Sequence, residues 1–283
     1  MTPRLTRSRI LMMTPRLLVL GSLCLAACHH QQPVAPAPAP ARPAPQRNTA
    51  PQIKDGGDLL RTMRERYPSW YRTVTFTQTT TLYRPSGGEL VQTWYEAASL
   101  PGKLRIDTDI DAKSGTLFAR DSIFSVAAGK LVRADTGLNE LSVLSFDAYT
   151  QPATRTAAQL RRLGFDLARM HEGTWNGRAI YVVGAARGDT NTKQFWVDQD
   201  NLLVVRVLER GPRGLVDTRF GNYVRLGGGW LATDVTQQVN GKPTLREVYS
   251  DPKTGIALND VLFDARRWSE AVRLAKPGTV RDF

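Results

Sequence analysis

Cysteine is nearly missing from this sequence: the chain has two, Cys24 and Cys28, and both fall within the six residues LCLAAC. Histidine is almost as scarce, with His29 and His30 beside the second cysteine and only His171 in the body of the chain. No Gly-x-Ser-x-Gly nucleophile turn, phosphate-cradling glycine loop or zinc-ligand spacing occurs. These absences point away from acyl, phosphoryl and metal-assisted chemistry, and no cofactor is expected. His171, in RMHEG, reads as a cap or surface residue at a helix end. The single carboxylate cluster is Asp107, Asp109 and Asp111, which share a strand face at spacing two. An EF-hand would need Gly and Glu where Ala112 and Phe118 stand, so no metal site is expected and the three acids read as a solubilising face.

The apolar run Leu17–Ala27 is too short to span a bilayer comfortably. It follows Arg4, Arg7, Arg9 and Arg16 with no acid among them, the layout of a signal peptide over residues 1–27. Leu-Ala-Ala-Cys, ending at Cys28, resembles the bacterial lipobox, in which cleavage precedes an acylated cysteine. That resemblance implies lipidation of Cys28 and loss of Cys24, so the mature body holds without a disulfide. Each buried acyl CH2 contributes about 0.8 kcal/mol, and several chains on one cysteine anchor firmly. His29 follows the cysteine where an inner-membrane retention signal would place Asp, which points to the outer membrane and a periplasm-facing body. Two adjacent histidines on a tether lack the further ligands of a metal site.

Residues 28–54 form the tether, and Pro33–Pro51 is mostly Pro and Ala, with Arg42 and Arg47. Such a segment acts as a semi-rigid spacer of about 3 Å per residue. Removing the four signal-peptide arginines from the formal net charge of +12 leaves +8. This balance suits anionic headgroups or reflects arginine-rich coding, while the exported location argues against nucleic acid as a partner.

Residues 55–283 read as one domain, without a second linker or a repeat. Asp58 can cap a short helix, LLRTMRERY, stopped at Pro68. The period then changes from 3.6 to 2: RTVTFTQTTTLY, ELVQTWYEAA and LPGKLRIDTDI read as strands, and TLFARDSIFSVAAGKLVRAD as two more about Gly129. LSVLSFDAY and the segment Thr154–Met170 carry helical spacing, the latter with Leu160, Leu163, Leu167 and Met170 on one stripe. Strands resume around the hairpin signal Asn176-Gly177 and run through Asn240-Gly241 to ALNDVLF. The fold class is therefore mainly β with some α: about ten to eleven antiparallel strands in a curved meander, with helices covering one mouth.

Several stretches carry a resemblance to the LolA/LolB lipoprotein-sorting family. LPGKLRID looks like its Arg-Pro-Gly-Lys-Phe-Arg stretch, SIFSVAAGKLVRAD like its strand-turn-strand, and FWVDQDNLLVVRV like its Leu-Trp-Ile-Asp strand with a returning strand. The resemblance implies an unclosed half-barrel around a hydrophobic cavity that holds lipid or lipoprotein acyl chains without catalysis. Candidate lining residues are Phe76, Leu82, Trp94, Leu104, Ile106, Phe118, Phe124, Phe195 and Val205, which would equally serve a filled core. The Thr154–Met170 helix is either a lid or a packed helix. Leu100 stands where the carrier has its lid-latching arginine, so a latched lid does not carry over. The alternative function is a structural or sensory lipoprotein whose sheet surface binds an envelope protein partner.

Overall fold

The computed structural model describes residues 53–271, so the signal peptide, Cys28 and most of the tether lie outside the described residues. Alternation of side chains builds one antiparallel sheet of thirteen strands, more than the ten to eleven expected. The first run is β1 (Thr73–Tyr83), β2 (Glu89–Ser99), β3 (Lys103–Asp109), β4 (Ser114–Ala119), β5 (Ser122–Ala127) and β6 (Lys130–Thr136). The second is β7 (Met170–Trp175), β8 (Arg178–Val183), β9 (Gln194–Asp198), β10 (Val204–Gly211), β11 (Gly214–Leu226), β12 (Gly229–Val239) and β13 (Lys242–Thr254). Every neighbour in the sheet is also a neighbour in sequence except one: β1 pairs with β13. The sheet is open, with β6 and β7 as its edges.

Two local features depart from the sequence reading, one adding a strand and one removing one. TLFARDSIFSVAAGKLVRAD makes three strands because the chain turns at Arg120 and Asp121, both at positive φ without a glycine. ALNDVLF is not a strand; Asp260–Phe263 is a 3-10 turn capped by the Asn259 side chain, which accepts from the Val261 N–H at 3.0 Å.

Helices cover the inner face. Helix α1 (Gly56–Arg66) is capped by Asp55, whose carboxylate accepts from the Asp58 N–H at 2.9 Å, rather than by Asp58 itself. It buries Leu59, Leu60 and Met63. The insert between β6 and β7 holds α2 (residues 140–150), interrupted by a π turn at Val143–Asp147, and α3 (Ala153–Arg162). The expected Thr154–Met170 helix ends early because Gly164 takes a φ of +93°. The Phe165 N–H then bonds the Leu160 carbonyl and the Gly164 N–H that of Arg161, a Schellman stop. Leu163 is its cap, Leu167 lies in the following loop, and Met170 opens β7, as does His171 beside it.

Val74, Phe76, Leu104, Leu144, Phe146, Leu160, Phe195 and Val207 belong to one core between the sheet's inner face and these helices. A second core lies on the outer face, where residues 258–271 cross β3, β4 and β5 and end in α4 (Trp268–Ala271). Trp268 fits against the strand because residue 115 is glycine; a Cβ there would stand 2.6 Å from the indole and 2.1 Å from the Ile106 carbonyl oxygen.

Candidate functional site

A cavity of about 80 Å³ lies between the inner face and the helical insert. Strands β1 to β3 contribute Phe76, Glu96, Leu104 and Ile106, and β11 and β12 contribute Phe220, Tyr223, Trp230 and Leu231 among others. Glu247 and Tyr249 come from β13, and Asn139, Leu141, Ser142, Ser145 and Phe146 close the space from the insert. A smaller cavity of about 30 Å³ shares Leu104, Asn139 and Ser142 and reaches Phe118 and Asp147. Ligand pockets commonly span about 300–1,000 Å³, so this interior is mostly filled by its own side chains.

The register explains who faces inward. Phe76 pairs with Glu96, Glu96 with Ile106, Ala98 with Leu104, and Val235 with Glu247, and directly opposed residues share a face. Phe76 and Tyr249 stack with centroids 4.5 Å apart. The two acids are therefore placed by the same alternation that places the apolar lining.

Their electrostatics follow from burial. The Glu96 carboxyl is held well above the ordinary carboxylate range, first by burial and then by Glu247. Glu247 is also pushed up by burial, with hydrogen bonds from Tyr249 and Gln78 acting against the shift. The Tyr249 hydroxyl donates to Glu247 Oε2 at 2.7 Å. In the smaller cavity Asp147 is pushed up to about 6 by burial, opposed by the Gly102 N–H, which donates to it at 2.9 Å.

Of the nine candidate lining residues, Phe76, Leu104 and Ile106 meet at the larger cavity and Phe118 at the smaller one. Trp94 shares their face as the partner of Gln78 but touches neither cavity. Leu82 lines an open depression at the far hairpin ends with Pro85 and Pro243. Phe195 is fully buried against Phe165. Phe124 is on the outer face, because it pairs with Leu117 beneath the C-terminal segment. Val205 sits at a bulge between Val204 and Arg206 and lines an open groove with Trp175 and Arg178. The expected lid stripe also disperses: Leu160 and Leu167 are core, while Leu163 and Met170 pack partly buried against it. The element that covers the larger cavity is α2, not the Thr154–Met170 segment.

Asp107 is a further correction to the expected solubilising face. It is buried under residues 258–271 and accepts two hydrogen bonds from Arg105, each 2.8 Å. Asp109 caps its own turn through the Ala112 N–H. Among the described residues no group of three His, Cys, Asp or Glu is placed to hold a metal ion, and no helix is long and apolar enough to cross a membrane.

Glu96 and Glu247 escaped the sequence reading. The signal was present: Trp94-x-Glu96-x-Ala98 and Leu245-x-Glu247-x-Tyr249 each put an acid at an apolar-face position of an alternating strand.

No family model matches the chain, and no curated protein does. Several solved structures do align with it. One is a DUF1329 family protein from Desulfovibrio piger, at 15% identity and TM-score 0.48, covering 74% of this chain and 95% of that one. A putative outer membrane lipoprotein-sorting protein domain from Vibrio parahaemolyticus aligns at 13% identity and TM-score 0.49, covering 75% and 97%. A LolA superfamily protein from Nitrosomonas europaea aligns at 15% identity and TM-score 0.46, covering 72% and 97%. One of these three neighbours is described as a LolA superfamily protein and another as a lipoprotein-sorting domain.

Proposed function

We propose that this chain is an envelope lipoprotein, anchored to the outer membrane through acylated Cys28, whose half-barrel binds lipid or lipoprotein acyl chains as a carrier, acceptor or sensor. It binds rather than catalyses. The observation that supports this reading is the aromatic-lined cavity enclosed between the sheet and α2. At about 80 Å³ that space holds no long acyl chain, so loading requires α2 to move outward. The π turn within α2 is the natural place for that movement, since such turns interrupt the helical hydrogen-bond ladder and recur at functional sites. In this reading α2 is the lid.

The test is native mass spectrometry with lipid extraction on the full chain, purified gently from its own host. The expected result is a co-purifying acyl species that is lost in Ser145→Leu, which fills the cavity from the α2 side and keeps the fold. Empty protein that also takes up neither a fluorescent fatty acid nor a fluorescent alkyl amine overturns the reading. The second reading, a protein partner on the sheet surface, then takes its place. It is favoured by Val91 and Val248, which are 59% and 38% exposed and flank β1 on the outer face.

A further inference from the structure

The acids that face the cavity lack what the other buried acids of the sheet possess. Asp107 is paired with Arg105, Asp217 with Arg206 and Arg219, and Asp198 with Arg178. Glu96 is 4% exposed, lines the cavity, and among the described residues has neither a hydrogen bond nor an ion pair. Glu247 lies on the other side of β1, opposite Thr80 where Glu96 is opposite Phe76, and is bonded to the Tyr249 hydroxyl but to no cation. Between them on β1, Gln78 is buried with its Oε1 unpartnered. No Lys, Arg or His lines the cavity.

Counting donors and acceptors decides what would fit. The sheet side of the cavity offers only acceptors of acidic type, the Glu96 carboxyl and Glu247, with Gln78 Oε1 unpartnered beside them, and the insert adds the Asn139 amide and the Ser142 and Ser145 hydroxyls, which are neutral. An ammonium group brings donors and no acceptor, and its positive charge favours the ionised form of the two acids that burial otherwise disfavours. Aromatic rings complete the surroundings: Phe76, Tyr223, Trp230 and Tyr249 line the same space, and ring faces attract cations. A carboxylate or phosphate at this point would add an anion beside two acids.

We propose that the cavity selects an amphipathic cation, an alkyl amine whose ammonium sits between Glu96 and Glu247 and whose chain lies along Leu104, Ile106 and Phe146. This rests on the acyl-binding reading above and adds the polar end of the ligand to it.

The experiment titrates the full chain at neutral pH with dodecylamine, dodecanol and dodecanoate, read by isothermal calorimetry. The expected order is amine, alcohol, carboxylate, with the amine at least about tenfold tighter than the alcohol, a difference a single desolvated charge pair readily supplies. In Glu96→Gln/Glu247→Gln that preference falls to within about threefold while dodecanol binds as before, and thermal melting verifies the fold. Equal binding of the three probes, or an amine preference unchanged in the double variant, overturns the cation site and leaves acyl binding standing. Failure of all three to bind overturns both.

Discussion

The two faces of the same sheet treat buried carboxylates in opposite ways. On the outer face Asp107 is gripped by Arg105 in a two-pronged pair, the Arg105 guanidinium lies 3.5 Å from the centroid of Trp268, and its Nη1 donates to the Leu262 carbonyl. Asp217 likewise takes two bonds from Arg206, which lies over Trp196 at 4.3 Å. On the inner face Glu96 and Glu247 face an aromatic cavity with no cation at hand. The chain has 38 Lys and Arg residues, so scarcity of base does not explain the difference. The Arg105–Asp107 pair pins residues 258–271 onto the sheet and Arg206–Asp217 joins β10 to β11, whereas inner acids without a cation keep a high energy that a ligand can lower.

The largest expected effect comes from breaking the outer pair. Arg105→Met leaves Asp107 buried without its partner and costs about 3–5 kcal/mol, measured by urea unfolding. Adding Asp107→Leu recovers most of that loss; a variant as unstable as the single one would show that the pair also sets the C-terminal segment in place.

Next comes the inner face, where the sign is reversed. Burial raises both glutamates, so the folded state holds protons that the unfolded state has released. The stability this contributes is fully present below the ordinary carboxylate range and is lost as pH rises through the folded values. Glu96→Gln/Glu247→Gln is therefore more stable than the parent by about 1–2 kcal/mol at alkaline pH, with the gain vanishing in acid. Equal stability at both ends of a melting-versus-pH series would mean that the acids have partners in solution.

Arg206→Met costs about 1 kcal/mol, less than the loss at Arg105, because Arg219 still donates to Asp217 at 2.7 Å. The smallest effect is at Arg178→Met. Arg178 is half exposed, and Asp198 keeps the backbone N–H groups of Asp200 and Asn201 as donors. A thermal scan should barely move, and a clear drop there would blur the contrast between deep and shallow pairs.

Local signals in the sequence carried the fold, and long-range ones did not carry the site. Asn176-Gly177 and Asn240-Gly241 mark real hairpin turns, since Asn and Gly tolerate the positive φ that both positions adopt. The Arg120-Asp121 turn uses the same backbone with side chains that do not announce it, so two strands read as one. Gly164 did announce the end of α3, but apolar residues beyond it kept the helical spacing alive. Phe124 and Asp107 were misplaced for one shared reason: residues 258–271 cover the outer face there, and nothing in either strand foretells a cover that arrives from more than a hundred residues away. Strand alternation alone would have put Glu96 and Glu247 inside. What misled was residue type, because an acid in a strand usually marks the wet face.

The seam between β1 and β13 also sets the order of events as the chain is made. All other strand pairs join consecutive strands, so each can zip up as soon as its second member appears. At the seam, Ser250 bonds to the carbonyl of Thr77, 173 positions earlier. Closing so long a loop comes late, and it alone brings Phe76 against Tyr249 and puts Glu247 on the same face of the sheet as Glu96. A ribosome working from the amino end leaves β1 with one bare flank until almost the whole protein has been synthesised. The cavity is thus a product of the last act of folding, and a truncated or stalled chain has strands but no interior to fill.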